Sequence, residues 1–113
     1  MCIYIKNNLA SRELDEFPVF QSKDLEQIWC SIKISKNEDM LLGCIYKPPL
    51  SNDKINDDLL NSLKLAAKLC KEGNFNTCLI CGDFNIPNLD WKSAPSYSYK
   101  AGINSFTREF VNV

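Results

Sequence analysis

The stretch Leu79-Ile80-Cys81-Gly82-Asp83-Phe84-Asn85 decides how this chain is read. Thr77 to Cys81 is a short apolar run opened by a β-branched residue, the composition of a strand buried on both faces. Gly82 carries no Cβ and lets the backbone leave that strand sharply. Asp83 and Asn85 follow two positions apart, so an extended backbone past Gly82 points both side chains the same way. A carboxylate and a carboxamide then meet at the end of a buried strand, where α/β proteins put their sites. The carboxylate can accept a proton, orient a water or hold a cation. The amide can donate to a phosphate oxygen and accept from a water without carrying charge.

Upstream lies a helix signal. Ser51-Asn52-Asp53 offers N-caps. From there to Glu72, Ile55, Leu59, Leu63, Ala66 and Cys70 form an apolar stripe, widened by Leu60 and Ala67. Asp57 and Asp58 near its start, and Lys68 and Lys71 near its end, complement the helix dipole. Gly73 is the stop. Before the helix, Met40 to Tyr46 is almost continuously apolar, as a central strand should be. Pro48-Pro49 ends it, since proline cannot donate to a ladder, and Tyr46 is left at a strand end.

Leu25 to Ser35 alternates with period two. Ile28, Cys30, Ile32 and Ile34 share one face, and Gln27, Ser31, Lys33 and Ser35 share the other with Trp29. The polar turn Lys36-Asn37-Glu38-Asp39 joins this run to the next as an antiparallel hairpin. Cys2 to Lys6 reads as a further short strand. Leu9 to Asp24 reads as irregular, with an edge strand near Val19-Phe20. Downstream, Ile86-Pro87-Asn88 turns and Leu89-Asp90-Trp91 forms a short packed segment. Lys92 to Gly102 reads as a loop, and Ile103 to Val113 as a helix with Phe106, Phe110 and Val111 on one side. Strand, hairpin, helix, strand, loop and helix together predict the α/β class, a sheet layered with helices.

Composition narrows the chemistry. The 113 residues carry a net charge of -1, which gives no electrostatic footprint for nucleic acid. No apolar run approaches the roughly 18 residues of a membrane span, so no membrane partner is expected. Met1-Cys2-Ile3-Tyr4-Ile5 lacks the cationic start and long apolar core of a secretory signal. The six cysteines sit mostly within apolar runs and read as reduced core residues in an intracellular setting, the nucleus included. Cys78 and Cys81 are spaced C-x-x-C, but on a strand that spacing sends them to opposite faces. The chain contains no histidine, which excludes Ser-His-Asp and Cys-His catalysis within it and most zinc enzymology.

Gly82-Asp83-Phe84-Asn85 resembles the Gly-Asp-x-Asn signature of the endonuclease/exonuclease/phosphatase superfamily. Glu26-Gln27-Ile28-Trp29, Gly43-Cys44-Ile45-Tyr46-Lys47-Pro48-Pro49, the continuation Ile86-Pro87 and Leu89-Asp90-Trp91 narrow the resemblance. Together they look like the endonuclease domain of non-LTR (LINE-type) retrotransposon proteins. The resemblance covers most of the chain, read as one domain over residues 1–113. It implies a four-layer α-β-β-α sandwich, two sheets back to back with helices outside, of which this chain is the middle portion. Strands with a catalytic asparagine and a metal-binding glutamate are then expected before Met1, and an Asp-His pair after Val113. It further implies magnesium-dependent hydrolysis of a DNA phosphodiester. Asp83 would polarise or deprotonate the attacking water, Asn85 would orient that water or the phosphate, and Tyr46 would contact the phosphate. The chain itself carries only part of that catalytic set.

Plainer roles stand beside these. Asp83 and Asn85 are also turn formers, and Tyr46 also suits a half-buried core position with its hydroxyl at a wet edge. Glu26 reads as a solvated charge at a strand end, not as the metal glutamate. Trp91 reads as core. Asp83, Asn85, Asn88 and Asp90 are spaced like part of a calcium loop, but Pro87 stands at a ligand position and no suitable Gly or terminal Glu follows. Two rival functions are carried: a phosphatase-like member of the same superfamily acting on small-molecule or lipid phosphates, and a non-enzymatic α/β interaction module. Half a sandwich exposes a sheet face, which predicts poor solubility on isolated expression.

Overall fold

A computed structural model describes residues 1–86, together with the backbone of residues 89–90 and 98–99. The helix signal is realised as α1, Asp53–Lys71. Its N-cap is Asn52, whose side-chain oxygen accepts from the Ile55 N–H at 2.9 Å. Gly73 follows with a φ of 84, the left-handed conformation that ends helices.

The described strands are β1 (Ser11–Glu13), β2 (Glu26–Ser35), β3 (Glu38–Tyr46) and β4 (Thr77–Asp83). They form a four-stranded mixed sheet in the order β1-β2-β3-β4. β1 and β3 each run antiparallel to β2, and β4 runs parallel to β3. α1 is the crossover that parallel pairing requires. The chain is thus mixed α/β, with helix α1 packed on one face of the sheet. Two further strands, β5 (Leu89–Asp90) and β6 (Ser98–Tyr99), pair antiparallel in a separate two-stranded sheet, so the stretch read as a loop from Lys92 to Gly102 contains a strand. The helix expected over 103–113 and the side chain of Trp91 lie outside the described residues.

The core lies between sheet and helix. Leu41, Ile45, Leu59 and Ala66 are fully buried there, joined by Leu63, Leu69, Leu14, Phe20, Leu25 and Trp29. Trp29 is the anchor: its ring stacks on Phe20 at 4.3 Å, and its indole N–H donates to Gln27 Oε1 at 2.7 Å. Gln27 Oε1 also accepts from Ser62 Oγ at 2.8 Å, and Gln27 Nε2 donates to the Val19 carbonyl at 3.1 Å. One carboxamide therefore satisfies the polar groups that Trp29 and Ser62 bring into the core.

Several sequence expectations change. Val19-Phe20 belongs to a 3-10 helix, Pro18–Gln21, because Pro18 occupies its first turn and Phe20 must turn inward onto Trp29. Cys2 to Lys6 forms no strand; Met1, Cys2, Ile3 and Ile5 instead line a cleft of 290 Å³ against Ile28, Cys30 and β1. The alternating apolar face of β2 thus points away from α1, and the helix takes the face that holds Trp29. On α1, Ala67 is exposed, whereas Leu69 and Ser62 are buried.

The largest correction concerns β4. It is not buried on both faces: Thr77, Cys78, Leu79, Cys81, Gly82 and Asp83 are all exposed, Leu79 at 53%. β4 is the end strand of the described sheet, and Ile80 is the one residue of the strand that is partly buried, packed against the core. The cysteines are free, but only Cys30 is buried. Cys78 faces the helix side near Cys70; although the residue is exposed overall, partial desolvation of its thiol, followed by the neighbouring Cys70 thiol, pushes its pKa up to about 11. Cys81 is the register partner of Cys44 on the opposite face.

Two glycines answer to space. A Cβ on Gly43 would come within 2.5 Å of the Trp29 ring. A Cβ on Gly82 would come within 1.8 Å of the Ile45 carbonyl oxygen, at a φ of 150 that side chains rarely adopt. Gly43→Ala should therefore cost about 1–3 kcal/mol, and Gly82→Ala more, because its obstacle is backbone. Urea unfolding of the two variants measures both costs; Gly82→Ala as stable as wild type would contradict the close approach of β3 and β4.

Candidate functional site

The site forms where two parallel strands end together. Tyr46 and Asp83, the last residues of β3 and β4, are register partners and lie on the face away from α1. This is the carboxyl rim of a parallel pair, the position open α/β sheets use for ligands. Tyr46 is 38% exposed, and Asp83 is exposed. A solvent-facing carboxylate beside a phenol can take a proton from a water while the phenol donates to an anionic oxygen.

Asn85 does not continue the strand. β4 ends at Asp83, and Asn85 has a φ of 46, a left-handed conformation that asparagine tolerates better than most residues. The extended geometry that would aim both side chains alike is lost. Instead, the Asn85 backbone N–H donates to Asp83 Oδ1 at 3.3 Å, closing an Asx-type turn. The Asn85 side-chain amide turns back and donates to the Lys47 carbonyl at 2.5 Å. Of the sequence-derived trio, Asp83 and Tyr46 are brought together by strand register, while Asn85 commits an amide N–H to the structure of the turn. Ile86, just beyond, is buried and anchors the exit of that turn.

The residue missed by sequence reasoning is Lys47. It is only 4% exposed. Its N–H donates to the Asp83 carbonyl at 2.8 Å, and its ammonium donates to the Asn85 carbonyl at 3.2 Å. Burial holds its pKa below the ordinary lysine value, and the nearby Asp83 carboxylate opposes that shift. The available signal was a single cation closing an apolar strand just before two prolines. Glu26, by contrast, is exposed and pairs with the Met1 amino group at 3.4 Å, a strand-end charge as read.

The magnesium implied by the resemblance would need oxygen ligands gathered at this rim. Among the described residues no three His, Cys, Asp or Glu side chains gather where they could hold a metal ion, and the Asp83 carboxylate acts electrostatically on the Lys47 ammonium. The described residues do not by themselves fit a magnesium site. Among them, no helix is long and apolar enough to cross a membrane. Comparison with family models, curated proteins and solved structures gives no match for the chain.

Lys47 makes stability depend on pH. Because its folded pKa is depressed, the unfolded chain holds this proton to higher pH than the folded chain. The unfolded state binds more protons in that window, so the contribution of Lys47 to stability rises as pH climbs toward 10.5. Urea unfolding at about pH 7 and about pH 10, wild type against Lys47→Met, should show the difference moving in favour of wild type at the higher pH. A difference that does not change with pH would mean that the ammonium is not desolvated.

Proposed function

We propose that this chain is part of a phosphodiesterase domain of endonuclease/exonuclease/phosphatase type, derived from a retrotransposon-like DNA endonuclease and nearly inactive alone. The carrying observation is the register pairing of Asp83 with Tyr46 at the carboxyl rim of the parallel strands, where Asp83 opens the turn of the Gly-Asp-Phe-Asn segment. In this reading Asp83 takes the proton of a water attacking phosphorus, and the Tyr46 hydroxyl donates to a phosphate oxygen. The exposed Asp83 carboxylate suits a group that must exchange protons with water. The chain has no histidine to protonate a leaving group, and its described residues do not hold a magnesium site. Catalytic groups act as a unit, so a partial set loses most of the rate.

The four-layer sandwich is part of the same proposal. Its support is the β3–β4 side of the sheet face away from α1, where Leu79 is 53% exposed and Tyr46 38%. An apolar face of that kind suits a second sheet better than water does.

Nicking of supercoiled plasmid with magnesium provides the test. The expected result is nicking at or barely above background, lowered further by Asp83→Ala and Tyr46→Phe. Robust nicking abolished by Asp83→Ala would overturn the claim of near-inactivity, and nicking untouched by that change would remove Asp83 from the mechanism. Where nothing is nicked, titration of a short DNA oligonucleotide followed by NMR decides the substrate class. Shifts centred on Tyr46, Asp83 and Phe84 support the proposal, and shifts elsewhere or none overturn it.

A further inference from the structure

We propose that Lys47 is a positioning residue whose ammonium holds the Asp83–Asn85 turn in shape from inside the protein. Three contacts converge on this one residue. Its N–H meets the Asp83 carbonyl, its carbonyl meets the Asn85 side-chain amide, and its ammonium meets the Asn85 carbonyl, the last two across 38 positions of sequence. The next two residues, Pro48 and Pro49, have no N–H and give the rim no further backbone donors.

The turn needs such a clamp. Asparagine tolerates a φ of 46 better than most residues, but it still favours the right-handed region, so the hydrogen bonds around Asn85 help to hold this conformation. Desolvating an ammonium is also unfavourable, so a lysine only 4% exposed must be repaid by what it binds. An amine turned inward onto the Asn85 carbonyl is aimed at the turn and not at a ligand in solvent. Lys47 therefore acts through Asp83 and Asn85 without touching substrate. The clamp is a property of the fold; its bearing on phosphodiester hydrolysis rests on the function proposed above.

Lys47→Met keeps the length of the stem and both backbone contacts and removes only the ammonium. Lys47→Arg keeps a cation and its donors. Amide hydrogen exchange by NMR on the full chain separates them. In Lys47→Met, exchange at Phe84, Asn85 and Ile86 should accelerate roughly ten- to hundredfold, while the β2–β3 hairpin keeps its wild-type protection. Lys47→Arg should restore most of the local protection. Unchanged exchange at 84–86 in Lys47→Met, or acceleration spread evenly over the sheet, would overturn the proposal. If the local loosening appears but DNA oligonucleotide fails to shift Tyr46 and Asp83, the clamp stands and the phosphodiesterase reading falls.

Discussion

The architecture depends on the indole of Trp29 filling the space that Gly43 leaves empty. The two residues are register partners across β2 and β3, and any side chain on Gly43 would collide with the ring. The missing side chain lets the ring lie across β3 and stack on Phe20. Large aromatic rings dominate core energetics, and a polar atom on the ring must find a partner when buried. Gln27 answers that need and at the same time ties in Ser62 of α1 and the Val19 carbonyl. The hairpin, the 3-10 helix and α1 are thus joined through one ring and one carboxamide.

From that core the rim follows by geometry. α1 carries the chain back so that β4 can lie parallel to β3, and both strands finish level at Tyr46 and Asp83. The close approach of Gly82 to the Ile45 carbonyl allows the strands to stay paired to their last residues. Beyond that point the chain leaves the sheet through a turn built on Asp83 and Asn85 and stitched to Lys47. The candidate site is therefore a product of strand register and one turn, more than of a deep pocket.

Much of this is legible in residue order. The stripe Ile55, Leu59 and Leu63 with an Asn52 cap and a Gly73 stop specifies α1 because a helix signals through periodicity and end chemistry. The hairpin is equally plain from alternation on one side of Lys36-Asn37 and continuity on the other. The face of β2 chosen by the helix was not legible, because Trp29 sits among polar residues and its burial depends on Gly43, fourteen positions away. β4 misled for the opposite reason: an apolar run reads as doubly buried, yet its exposure is set by its position at the end of the described sheet. Asp83 and Tyr46 stand out by residue type and position. Lys47 does not, since a lysine is ordinarily exposed and only tertiary placement reveals it as buried.

β4 is fastened at both ends. At its entrance the Asn76 N–H donates to the Asp39 carbonyl while the Asn76 side chain accepts from the Asp39 N–H, each at 2.9 Å. At its exit the Asp83 carbonyl meets the Lys47 N–H. Sliding the strand by one residue would break both fastenings and exchange its two faces. Alignment is thus enforced from the termini, which leaves the solvent-facing positions Thr77 and Leu79 unburdened by that task. The Asp83 carboxylate therefore keeps its place in space whatever side chains line the middle of the strand.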